Sequence, residues 1–143
     1  MKQPRLLLNL AGVALLGATA FGIGAAVSSS PTLMSVKDYE GLRVAITMDA
    51  DEERAQCNRL GGARRLACHA EARADLDVQL AELEVKYRGT LESAQAARKV
   101  RISADFDRAR AQCFGLSGFA RDSCIVKAHA GKSRSLVAAR TES

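Results

Sequence analysis

Residues 54–74 read RAQCNRLGGARRLACHAEARA, and residues 110–130 read RAQCFGLSGFARDSCIVKAHA. In register, the two stretches share Arg-Ala-Gln-Cys, Leu60 with Leu116, Gly62 with Gly118, Arg65 with Arg121, and Cys68 with Cys124. Ala72 and Ala74 likewise match Ala128 and Ala130. Cys-x10-Cys with glycine inside, kept twice, restricts the fold more than any other feature. A continuous helix over 57–68 would hold its cysteines about 16 Å apart along the axis. A disulfide needs Cα atoms within roughly 7 Å. A turn at the glycine closes that gap, and glycine is the favoured residue for a left-handed helix C-cap, whereas inside a helix it costs about 1 kcal/mol. The expected bonds are therefore Cys57–Cys68 and Cys113–Cys124, with Gly62 and Gly118 as the hairpin turns. The competing arrangement pairs cysteines across the copies, each pair riding one face of an unbroken helix. An 11-residue step returns to within about 20° of the same face, so periodicity alone permits it. The glycine inside each pair argues for local closure, worth on the order of 3 kcal/mol per bond.

The repetition starts before the cysteines. Ile46, Asp49, Asp51 and Arg54 match Ile102, Asp105, Asp107 and Arg110. Ile102, Phe106, Ala109 and Cys113 fall on one helical face. Asp51–Arg54 and Asp107–Arg110 are exposed i,i+3 pairs. Ser35 is an expected N-cap with Asp38 at N3, and second helices are expected from near Ala63 and Phe119. Leu76, Leu80, Leu83 and Tyr87 form an apolar stripe in the first copy. Gly89-Thr90 is expected to end that helix, with Thr90 capping the next and Glu92 in its first turn. An unbroken helix over 63–113 is the alternative, because one interior glycine is tolerable.

Composition agrees with thin helical packing. The 143 residues contain no Trp, two Tyr and four Phe, and both prolines, Pro4 and Pro31, precede the body of the chain. Charge is uneven: residues 35–89 hold 9 basic and 11 acidic groups, residues 90–143 hold 10 and 5. The basic half suits an acidic protein or an anionic surface. No aromatic residues are interleaved with the basic ones, so nucleic acid is not an expected partner.

Residues 1–28 resemble a secretory signal: Lys2 and Arg5, an apolar run, then small residues at Ala18-Thr19-Ala20 and Ala26-Val27-Ser28. The alternative is an uncleaved anchor, since Leu6–Val27 is long enough to span a bilayer. Either way, residues 35–143 are expected outside the cytoplasm, where an even set of repeated cysteines reads as disulfides.

The motif Cys-x-x-Leu-x-Gly-x-x-Arg-x-x-Cys-x-x-x-Ala-x-Ala, present twice behind such a leader, resembles a group of small exported helical proteins of Gram-negative bacteria. Such proteins are often loosely described as TolA-like envelope proteins. The resemblance covers residues 35–139 and is closest over Cys113–Cys124. The first copy departs at Arg64-Arg65-Leu66, where an acidic residue is commoner. It implies no activity and no catalytic residue.

Other chemistry fits less well. Cys68-His69 and Cys124 with His129 suggest mixed metal ligands, but His69 aligns with Ile125 and His129 with Arg73, and no CxxC occurs. Asp49-x-Asp51-x-Glu53 lacks the glycine of a calcium loop and would splay across a helix. Gly115-Leu116-Ser117-Gly118 is one spacer short of a nucleophile elbow. No P-loop or dinucleotide glycine pattern is present.

The sequence thus predicts an all-α protein: leader 1–28, linker 29–34, and two tandem antiparallel helical hairpins over 35–89 and 90–143, each stapled by a local disulfide. No cofactor, metal or catalytic residue is expected. The expected role is non-enzymatic contact in the periplasm or envelope. A single-pass anchored stalk is the runner-up, and metal carriage or thiol redox chemistry is a third reading.

Overall fold

The computed structural model describes residues 34–141, which fall in the compact unit Pro31–Ser143. The leader and most of the linker lie outside the described residues. Four α-helices follow one another: α1 Val36–Cys57, α2 Gly62–Arg88, α3 Leu91–Ala111 and α4 Gly118–Thr141. A 3-10 turn over Gln112–Gly115 follows α3. No strand occurs among the described residues. Each helix packs on its neighbours in sequence: α2 lies between α1 and α3, and α3 lies between α2 and α4.

Local chemistry sets the helix ends. Ser35, in extended conformation, accepts the Asp38 amide at 3.1 Å through its hydroxyl, which satisfies one of the free N–H groups of the first turn. Gly89 ends α2 in the left-handed region (φ 62°), its amide donating to the Val85 carbonyl at 2.9 Å. Thr90 then caps α3 through a capping box: its hydroxyl accepts the Ser93 amide and its own amide donates to Ser93 Oγ. The chain is therefore broken at Gly89, and the continuous 63–113 helix is not formed. Glu92 sits in the first turn of α3, as expected.

Both disulfides are local. Cys57–Cys68 and Cys113–Cys124 have Cα–Cα distances of 5.5 and 5.7 Å, far below the roughly 16 Å of a straight helix. The expected glycine conformation is present, but in a different place. The first helix does not run to its glycine. It stops at Cys57, and the chain leaves through i,i+3 bonds from Arg59 to Gln56 and from Leu60 to Cys57. Gly62 (φ 57°) and Gly118 (φ 54°) instead stand at the start of α2 and α4. The left-handed residue therefore launches the second helix of each hairpin; it does not cap the first. The turn has to fall between the cysteines, and only a segment that leaves the helix at once brings Cys68 back beside Cys57.

A Cβ added at Gly62 or Gly118 would meet no atom within 4 Å, so the cost of substitution there is backbone strain. Gly62→Val and Gly118→Val are expected to destabilise the protein by about 1–3 kcal/mol each. The asparagine variants should lose less, because asparagine tolerates the left-handed region. Gly41→Ala, in the middle of α1 with open space around it, should instead stabilise by up to about 1 kcal/mol. Urea unfolding followed by circular dichroism separates these outcomes.

The core is thin and rich in alanine. Ala50, Ala72, Ala74, Ala104, Ala111 and Ala128 are buried, together with Leu83, Ile102, Cys57 and Cys113. Small side chains let helix axes approach closely, while the disulfides fill the closed end of each hairpin. At the open end of the first hairpin Tyr39 stacks on Tyr87 with ring centroids 4.4 Å apart. Asp51–Arg54 and Asp107–Arg110 form the expected i,i+3 pairs. The most extensive interface joins the two copies, α2 on α3. It is bordered by ion pairs of Arg108 with Asp75 and of Arg101 with Glu82.

Candidate functional site: the groove of the second hairpin

A groove of about 1000 Å³ lies between α3 and α4. Ile102, Phe106 and Ala109 reach it from α3, and Phe119, Cys124 and Ala128 from α4. These positions follow from the repeat: Ile102, Phe106 and Ala109 occupy the helix face read from the sequence, and the Cys113–Cys124 bond holds α4 against that face. Lys127, Lys132 and Arg134 line its α4 side, with Asp105 opposite on α3. Phe119 is 87% exposed, a large aromatic surface left in water at the mouth of an apolar cleft.

Phe106 organises the middle of the groove. His129 packs against its ring at 4.7 Å between centroids. The Lys132 ammonium lies 4.6 Å from the ring centroid and the Arg110 guanidinium 5.7 Å, both within cation–π range. The first copy has Ala50 in place of Phe106 and Arg73 in place of His129, so this arrangement is particular to the second copy. Phe106 lies on the face expected from its spacing, whereas nothing in the sequence ties His129 to it. The i+23 separation of the two gives no periodic signal, and only the hairpin pairing reveals the contact.

The other chemical candidates do not converge. His69 Nε2 lies 3.1 Å from Asn58 Oδ1 across the first turn, away from His129. Among the described residues no group of three His, Cys, Asp or Glu side chains is placed to hold a metal ion. No helix among them is long and apolar enough to cross a membrane. All four cysteines are bonded, and Cys57 and Cys113 are each 1% exposed.

The perturbed titrations of Tyr39 and Glu84 belong to a latch between α1 and α2. Tyr39 donates its hydroxyl to Glu84, and Arg88 Nε donates to the same carboxylate at 2.6 Å. The Tyr39 hydrogen bond first, and Arg88 second, hold the Glu84 carboxyl below its ordinary value of 4.5. The same hydrogen bond raises the Tyr39 phenol. The Glu84 contribution to stability is thus present above the ordinary carboxylate range and is lost as pH falls through the lowered value. That of Tyr39 is present below the ordinary phenol range and is lost as pH rises through the raised value. In Tyr39→Phe the Glu84 titration followed by NMR should move up toward 4.5; an unmoved midpoint would contradict the latch.

The fold and its bonds define a class: a disulfide-stapled helical-hairpin repeat. No family model, curated protein or solved structure matches the chain.

Proposed function

We propose that this is an exported, non-enzymatic protein of the cell envelope that acts by contact, through the exposed face of its second hairpin. The observation that carries this reading is the groove itself: an apolar floor, an exposed Phe119 and a basic rim of Lys127, Lys132 and Arg134. Such a surface suits an acidic, partly apolar partner. Two local disulfides, each with one cysteine buried, fit a chain that folds in an oxidising, non-cytoplasmic compartment, and they suit a structural role over an exchange-active one. The signal-like leader and the resemblance to small exported helical proteins support the periplasm as that compartment.

Fractionation of the native cell followed by mass spectrometry tests the reading. The expected result is a periplasmic species with an N-terminus between residues 21 and 31 and no free thiol. A full-length species that resists carbonate extraction would favour an anchored stalk carrying the same hairpins. A cytoplasmic protein with four free thiols would contradict both.

A further inference from the structure

The two copies are joined by a face of α2 packed on a face of α3. Ala81 and Val100 line the same clefts there, and Arg108 pairs with Asp75 at its edge. Shifted forward by one repeat, the α2 face falls on α4, where Ala81 becomes Val137 and Asp75 becomes Gly131, beside Lys127 and Arg134. Shifted back by one repeat, the α3 face falls on α1, where Val100 becomes Val44, Ala104 becomes Met48 and Arg108 becomes Glu52. Val44 and Val137 are each 59% exposed and Met48 66%. A two-copy array thus ends on two halves of its own internal interface, as repeat arrays do at uncapped ends.

Charge decides which halves match. Helix α1 carries three basic and six acidic side chains, and α4 carries five basic and one acidic. At the position where α2 offers an acid to an α3 arginine, α4 offers bases and α1 offers Glu52. The polarity is reversed on both sides, so complementarity is kept. Pairing α4 with α4 would oppose two basic faces, and pairing α1 with α1 two acidic ones.

We propose that α4 of one molecule seats α1 of a second copy, continuing the α2–α3 packing head to tail. The contact is heterologous, so it extends the array or closes it into a ring. This inference rests on the reading of the protein as a contact protein. An exported, fully oxidised chain that stays monomeric would overturn the inference and leave that reading standing.

Site-specific cross-linking of the full-length chain in mild detergent tests it. Val44→Cys and Val137→Cys are both at exposed helical positions and should leave the far-UV spectrum unchanged. Mixing the two variants with a short bis-maleimide should give a covalent dimer that neither variant forms alone. Adding Glu52→Lys to the Val44→Cys chain should lower the yield several-fold, and adding Lys127→Glu and Arg134→Glu to its partner should restore it. A mixture that yields no more dimer than the single variants would overturn the proposal. So would a dimer formed by Val137→Cys alone, which would mean a symmetric α4–α4 contact.

Discussion

Reduction of both disulfides under otherwise native conditions is expected to cost the protein its cooperative fold. Each bond closes a loop with a sequence separation of 11, and a closure of that size contributes about 3 kcal/mol by restricting the unfolded chain. Two such bonds amount to about 6 kcal/mol, comparable to the whole stability of an ordinary small domain. The alanine-rich core offers little to offset the loss. Replacing one pair by alanine should lower the melting temperature by about 15 °C, taking 4–8 °C per kcal/mol for a domain of this size. The Cys113/Cys124 pair should matter more for local order. α4 packs on α3 and its adjoining turn, whereas α1, also held by one helix, keeps the Tyr39–Tyr87 stack and the Glu84 latch. Amide exchange should therefore accelerate first along α4 when that pair is removed. A melting curve that reduction leaves unchanged would refute the staple.

The second large effect is expected at Leu83. It is 4% exposed and is the largest aliphatic side chain buried in α2, in a core otherwise rich in alanine. Truncation to alanine removes three buried carbons and leaves a space that short side chains cannot fill. Leu83→Ala should cost about 3 kcal/mol, within the range for buried leucines. Leu91→Ala, at a site 75% exposed, should change stability by less than about 0.5 kcal/mol. Urea denaturation with an unchanged m-value checks both. Equal effects at the two sites would mean that the alanine seam is not the core.

Much of this was legible in the residues. The doubled Cys-x10-Cys with its glycine encodes the stapled hairpin, because covalent geometry leaves few ways to join residues eleven apart. Gly89-Thr90 marks the break between copies, although Ser93 as the second half of the capping box is harder to read: serine at N3 is a weaker signal than glutamate. The placement of Gly62 and Gly118 is less legible. A positive φ is readable from glycine, but whether it ends one helix or launches the next depends on hydrogen bonds made by neighbours such as Arg59 and Leu60. The dominance of the α2–α3 interface is not legible in the residues. Its ion pairs, Asp75–Arg108 and Glu82–Arg101, join residues from different copies, and no repeat comparison exposes a contact made only once. Phe106 and His129 belong to one copy, but their counterparts Ala50 and Arg73 give a repeat comparison nothing to match.

Tryptic mapping without reduction shows whether the two hairpins are each closed on themselves. Arginines lie between the cysteines of each pair, so each bond joins two separate peptides. The expected products are AQCNR bonded to LACHAEAR, and AQCFGLSGFAR bonded to DSCIVK. Finding AQCNR bonded to DSCIVK or to AQCFGLSGFAR would contradict that closure.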